Sequence, residues 1–209
     1  MKLSEHVIKA IEDYGLNKDS ALMHACFAIE ATSRNLYKKR AVGRNDYINC
    51  LRKYYWIIEF MIGKGLNLGE TKWDNLIIIN DHGKKINHPD LAEVVYYIFR
   101  CNHAHAKPVP FKYKLLPYTD GHFPWQFGAN LLQMPESIIW ALLAISVFST
   151  ANKGIRSKGD HYLTWGSESL GIGTTTFKIM NWWGKEDKFR EFVDKNTGGP
   201  RVKIVYQKN

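Results

Sequence analysis

LAEVVYYIFRCNHAH, residues 91–105, decides how the chain is read: an apolar, helix-like run that ends by delivering Arg100, His103 and His105 within six residues. A helix end of this kind normally carries solvated lysine or glutamate. Here a permanent cation stands beside the one side-chain type whose ordinary pKa lies near neutrality. That pairing suits phosphodiester cleavage, because a guanidinium holds a phosphate by two hydrogen bonds while an imidazole moves a proton. On an ideal helix Arg100 and His103 lie about 60° apart, and Arg100 and His105 about 140° apart. A continuous helix therefore favours His103 as the arginine's same-face partner. Lys107-Pro108-Val109-Pro110 stops the helix, and a last turn distorted by proline frees His105 to swing round. A dimer with two such helices face to face is a second route, and both routes stay open.

Working outward, Pro89-Asp90 starts the motif-bearing helix and the polar stretch from Asn80 to His88 reads as a connector. Upstream, Leu3, Val7, Ile8 and Ile11 recur at helical spacing up to a stop at Gly15. Asp19 or Ser20 can cap a second helix from Ala21 to about Lys39, whose Ala21, Ala25, Ala28 and Ala31 allow close approach of a neighbour. Asn45 can cap a third that runs through Leu51 and Ile58 to Gly63. Downstream, residues 111–133 carry Pro117, Gly121, Pro124 and Gly128 and read as a long ordered loop. Pro135-Glu136 opens an apolar helix that ends near Thr150; Ile138–Phe148 is far shorter than the ~18 residues a spanning helix needs, and reads as a core or subunit-interface helix. After Ala151, residues 162–165 and 176–180 read as short strands, 185–195 as a charged helix, and Val202–Tyr206 as a closing edge strand. The expected fold is all-α: a helical bundle over 1–151, with a small irregular α+β extension over 152–209 packed on the same domain.

The formal charge is +9, from 29 Lys+Arg against 20 Asp+Glu, which favours a polyanionic partner such as nucleic acid through counterion release. The charge is denser at the end, with 18 cations against 14 carboxylates up to Ala151 and 11 against 6 after it. Cys26, Cys50 and Cys101 are odd in number, and no Cys-x-x-Cys pair occurs. A disulfide framework and a thiolate zinc site are both disfavoured, and a reducing, cytoplasmic setting is expected. Met1-Lys-Leu-Ser-Glu-His6 has no apolar signal core.

Cleaving RNA needs few groups, because the 2′-hydroxyl is the nucleophile. The enzyme orients it, neutralises the crowded phosphorane and handles protons. Arg100 takes the charge and His105 the proton, supported by His103 and by Asn102, which can bind the phosphate or fix an imidazole tautomer. No metal or other cofactor is expected: His103 and His105 project about 200° apart on a helix, unlike a chelating i,i+4 pair. Lys107, Lys112, Lys178 and Lys185 are candidate RNA-binding residues, and Trp182-Trp183 with Phe177 and Phe189 can stack bases. Simpler roles compete. Arg100 can pair with Asp90 or Glu93, Glu30 with Arg34, and the double tryptophan can be a core plug. Two other functions fit the composition: a non-catalytic RNA- or nucleotide-binding module, and a partner-docking subunit using Ile138–Phe148.

Arg100-Cys-Asn-His-Ala-His105 resembles the Arg-x4–6-His signature of the HEPN superfamily of ribonucleases, in its Arg-x4-His form. A narrower likeness, to a partly plasmid-borne HEPN subfamily, rests on Phe99-Arg-Cys-x-x-Ala-His105, Ala141–Val147 and Asn181-Trp-Trp-Gly-Lys185, and spans nearly the whole chain. The resemblance implies an all-α homodimer with one composite cleft, a metal-independent endoribonuclease acting as a toxin or in defence against invading elements, and an antitoxin or regulatory partner. It also implies that Glu30 is the acidic residue near the cleft. Two departures stand out: Cys101 follows the arginine where the family often has a polar residue, and Lys107 stands where toxins paired with nucleotidyltransferases carry a tyrosine.

Overall fold

The computed structural model describes residues 1–62, 66–80, 83–104, 112–117, 125–128, 131–167 and 172–197; the side chains at 103, 104, 112, 126–128, 166, 167, 172 and 173 are outside the description. Helix α1 (Leu3–Tyr14) and α2 (Lys18–Tyr37) form a hairpin over residues 15–17. The cap of α2 is Asn17, two or three residues earlier than the expected Asp19 or Ser20: its side chain accepts from the amides of those two residues, satisfying two amides that no helical carbonyl reaches. The helix ends at Lys38, which turns left-handed at φ 53°. All four alanines of α2 are buried, and α1 and α7 pack against it.

The expected third helix is two, α3 (Arg44–Lys53) and α4 (Tyr55–Ile62). The break falls at Tyr54, whose hydroxyl is hydrogen-bonded to Ser149 Oγ at 2.8 Å and donates to Glu186 at 3.1 Å. Next comes a two-stranded antiparallel hairpin, β1 (Ile77–Ile79) and β2 (Lys85–Asn87), where a connector was expected. The motif helix follows as α5 (Leu91–Val94), a π-helical segment Val95–Arg100 and α6 (Cys101–Ala104). Then β3 (Lys112–Leu116), β4 (Gln126–Gly128) and β5 (Leu131–Pro135) form a sheet of order β3-β5-β4, with β3 parallel and β4 antiparallel to β5. Helix α7 (Ser137–Phe148), β6 (Tyr162–Ser167), β7 (Ile172–Lys178) and α8 (Glu186–Thr197) complete the described chain. The edge strand expected at Val202–Tyr206 lies outside the described residues.

The all-α expectation, and with it the HEPN-like bundle, is therefore corrected: the fold is mixed α+β, with seven strands in three small sheets among the described residues. The stretch read as a loop, 111–133, contributes strands to the middle sheet. Its β5 alternates, Leu132 and Met134 turning inward, but such a short run gives little periodic signal, and its parallel partner β3 stands 19 residues earlier in register, beyond the reach of a hairpin turn signal.

α7 is enclosed by the chain itself. Ten of its twelve residues are buried, and it packs against α1, α2 and α4. It is a core helix, so the alternative of an exposed docking helix over Ile138–Phe148 does not fit: Leu142 has no exposure. At its end, Phe148 stacks on Phe189 of α8 with ring centroids 3.8 Å apart, and Phe177 and Val193 join the same core. The C-terminal segment is thus held by hydrophobic burial worth roughly 1.5–3 kcal/mol per large side chain. Glu186 adds a polar clasp, accepting from Tyr54, from the Thr150 amide and from its hydroxyl.

Gly184 makes that closure possible. Its φ is +72°, its amide donates to Val147 O at 2.9 Å, and a Cβ there would sit 2.6 Å from the Lys153 backbone nitrogen. Gly184→Ala is expected to lower the unfolding free energy by at least about 2 kcal/mol, read by urea denaturation, since the opposing atoms are backbone and cannot rotate away.

A second expectation concerns pH. His6 and His24 join α1 to α2 with their Nδ1 atoms 3.1 Å apart. Burial, then repulsion from His24, lowers His6 from 6.5 to about 4; burial also lowers His24, against the pull of Asp13. The unfolded chain therefore takes up protons first, and stability present above about pH 6.5 is lost as pH falls toward 4. Melting temperatures across that window should fall less steeply for His6→Gln than for the parent.

Candidate functional site

Asp90 caps the motif helix with a reciprocal pair: its carboxylate accepts from the Glu93 amide and Glu93 accepts from the Asp90 amide, both at 3.0 Å. Arg52, and not Arg100, occupies this acidic pair, with Nε 2.7 Å from Asp90 and Nη2 3.5 Å from Glu93. Arg100 is left to look elsewhere. Over Val95–Arg100 the helix widens by one residue, and the Cys101 amide donates to Tyr96 O, five residues back. Such a bulge displaces carbonyls from their usual partners. The side-chain amide of Asn102 fills the gap, donating to Ile98 O at 2.7 Å and to Tyr97 O at 3.3 Å. The structure thus gives Asn102 a helix-building role.

At the end of the widened segment Arg100 meets Glu30 of α2. Both Nε and Nη2 donate to the same oxygen, Glu30 Oε2, at 3.1 and 2.8 Å. The pair is largely shielded, with side chains 19% and 24% exposed. Burial works against the arginine's charge, but hydrogen bonding and attraction to Glu30 outweigh it and raise its pKa. The guanidinium carbon also lies 5.7 Å from the centre of the Tyr96 ring, and Nη1 meets no acceptor among the described residues. What results is a fixed, oriented cation that retains donors for an anion. Beneath it, burial pushes the Cys26 thiol up to about 12, so that sulfur packs as a neutral group.

Sequence-predicted residues distribute unevenly around this pair. Glu30 and Arg100 are brought together, and Asn102 sits one turn-step beyond them. The backbone of His103 belongs to α6, directly after Arg100. His105 and Lys107 lie outside the described residues, and Lys112 begins β3. The chain on both sides of that stretch is anchored, because the Phe99 and Tyr113 rings pack edge to face at 5.2 Å. Lys178 and Lys185 are set in the C-terminal part: Lys178 pairs with Asp160 at 2.5 Å, and Lys185 lies 6.0 Å from the Trp182 ring. The proposed base-stacking aromatics go inward, with Phe177, Trp183 and Phe189 buried and the Trp183 indole donating to Ser157. No group of three or more His, Cys, Asp or Glu arranged to hold a metal occurs among the described residues.

Beside the pair, Tyr96 and Cys101 line an open depression of about 670 Å³ with Lys39 and Arg44 on its other side. Sequence reasoning missed Arg44, Tyr96 and Tyr97; the Tyr-Tyr doublet three residues before Arg100 was the available signal.

A match to the Rv1289 family spans residues 2–209. The chain belongs to that family. It is 31% identical over 177 residues to a protein of Mycobacterium bovis and, equally, to one of Mycobacterium tuberculosis, covering 84% of this chain and 80% of each relative. Neither relative's name states an activity. No solved structure matches the chain. Among the described residues of this Rv1289-family protein, no helix is long and apolar enough to cross a membrane.

Removing one member of the ion pair strands the other in a shielded site. Glu30→Ala should lower the unfolding free energy by about 1–3 kcal/mol, scaled down because a fifth of the arginine side chain still meets water. In a double-mutant cycle with Arg100→Ala, chemical denaturation should give a coupling of about 1–2 kcal/mol; purely additive losses would show that the contact has no energetic weight.

Proposed function

We propose that this Rv1289-family protein is a metal-independent endoribonuclease. The observation that carries the reading is the Glu30–Arg100 pair: a shielded carboxylate fixes a guanidinium at the turn from which the histidine-bearing sequence leaves. Glu30 acts as the positioning residue and Arg100 as the charge that binds the scissile phosphate. His105, with His103 as its neighbour, takes the proton from the ribose 2′-hydroxyl and returns it to the leaving 5′-oxygen. The 2′-oxygen attacks phosphorus as the bond to the 5′-oxygen breaks, giving a 2′,3′-cyclic phosphate and a 5′-hydroxyl. Protons balance without any other reactant. Arg100 stabilises the extra negative charge of the phosphorane, which exists only on the way through, and this is the kind of interaction that raises rate.

The likeness to HEPN ribonucleases adds a homodimer in which each subunit contributes to a shared cleft, and a role as a toxin or anti-invader effector under an antitoxin or regulatory partner; the cysteine usage adds a reducing, cytoplasmic setting.

Purified protein in EDTA should cut RNA to ends carrying a cyclic phosphate, while a strand with a single 2′-deoxy sugar at the cut site should survive. Arg100→Ala and His105→Ala should each slow cutting by about 100-fold or more, and Glu30→Gln should lower kcat more than it changes KM. Salt-sensitive RNA binding without scission would favour the non-catalytic binding module instead. Equal cutting by parent, Arg100→Ala and His105→Ala would overturn the assignment of roles.

A further inference from the structure

The depression beside Tyr96 does not stand alone. A second one, about 480 Å³, continues from it, and the two share Arg44, Asn45, Asn80 and Tyr97. Together they form one open groove. Its walls are the outer face of α3, the β1–β2 hairpin and the two tyrosines of the widened helix.

The charge of this groove is only partly compensated. Five cations line it against two carboxylates, Asp46 and Glu93. Lys39 is spent on Asp46, with contacts of 2.7 and 2.9 Å, and Arg52 on Asp90 and Glu93. Arg44 is different: its Nε donates to Asn45 and its Nη1 to the Tyr97 hydroxyl at 3.1 Å, both neutral groups. Lys84 and Lys85 are exposed and meet no carboxylate among the described residues. Three positive charges therefore face the groove without a carboxylate partner among the described residues. Asn80 holds the lysines in place, accepting from the Lys84 amide at 3.0 Å through its side chain while its own amide donates to Lys84 O.

The rest of the lining says which anion fits. Tyr96 and Tyr97 are half-buried and present ring surface, and Asn45 and Asn49 are exposed on the α3 wall. Cations for phosphates, aromatic rings for stacking and amides for base edges is the mixture that takes an unpaired nucleic-acid strand, whose bases can splay out. A duplex hides its bases and gives the rings nothing to stack on. The groove also ends at the right place: Tyr96 lines it and lies 5.7 Å from the Arg100 guanidinium.

We infer that the groove between α3, the β1–β2 hairpin and Tyr96–Tyr97 binds single-stranded RNA and leads it to Arg100. The choice of RNA over DNA rests on the ribonuclease reading; the single-strand assignment rests on the groove.

The probe is a fluorescein-labelled, fully 2′-O-methylated strand of about twelve nucleotides, which cannot be cut because it has no free 2′-hydroxyl. Anisotropy is followed with full-length protein in EDTA between about 50 and 200 mM salt. The Lys84→Ala/Lys85→Ala variant should bind about tenfold more weakly, with a log–log salt slope shallower by about 1.4, the value for two phosphate contacts on a single strand. Tyr97→Ala should also lose about tenfold, with the slope little changed. The Lys178→Ala/Lys185→Ala variant should bind within about twofold of the parent. Lys84, Lys85 and Lys185 are exposed and Tyr97 and Lys178 half-buried, and matching melting temperatures establish that each variant is folded.

Parent-like binding by the Lys84/Lys85 variant, or loss of binding only in the Lys178/Lys185 variant, overturns the inference. So does a duplex or heparin that competes as well as the single strand. Groove-dependent binding by a parent that cuts no RNA overturns the ribonuclease reading and leaves the groove standing. Arg100-dependent cutting with parent-like binding by every groove variant does the reverse.

Discussion

A helix that is apolar on every side has to be covered on every side. α7 imposes that constraint on this molecule, and most of the architecture is the answer to it. The hydroxyl in its buried middle, Ser146, is turned back onto Leu142 O. α1 and α2 close one flank, α4 another, and the Phe148–Phe189 stack brings in the C-terminal segment. Where α7 ends, polar groups are satisfied by neighbouring side chains: the Asn152 amide donates to Ser146 O and to Thr32, and Asn35 donates to Asn152. Buried polar atoms with partners of this kind help to select one packing arrangement over its competitors.

The same constraint explains why the Arg100 site is stiff. α2 is a wall of the core on one face, and it carries Glu30 on another. A carboxylate standing on an element buried along most of its length has little freedom to follow a mobile arginine, so the arginine is fixed instead. The widened helix then presents Tyr96 and Tyr97 toward the groove while Ile98 and Phe99 stay inside. One inserted residue therefore reconciles two demands, burial on one side and an open, groove-lining surface on the other.

Much of the helical framework was legible because its periodicity is strong and its ends carry chemical markers. Asp90 before Leu91, the alanines of α2 and the apolar run of α7 each told their role directly. The β1–β2 hairpin was not legible, because three-residue strands such as Ile77–Ile79 leave no pattern to count, and Lys84-Lys85 looks like any polar turn. The break at Tyr54 depends on Glu186 and Ser149, about a hundred residues away or more, and no local rule reaches that far. At the site, Arg100 was found by its setting at a helix end, and Glu30 through a family likeness, yet their union across 70 residues depends on tertiary packing. The lysines of the C-terminal part were chosen for proximity to aromatics in sequence; those aromatics turned out to be core. Arg44 escaped notice because an exposed arginine beside an asparagine has no distinguishing feature until the Tyr97 hydroxyl is placed against it.

The amide of Asn102 stands in for two missing links of the helical ladder, and that makes the segment vulnerable to chemical ageing. Slow hydrolysis of this side chain to a carboxylate would replace a donor with a pure acceptor opposite the carbonyls of Tyr97 and Ile98. Attraction would become repulsion at the bulge, one residue before His103. Ageing of that kind would loosen the turn that carries Arg100 while leaving the core contacts behind it untouched.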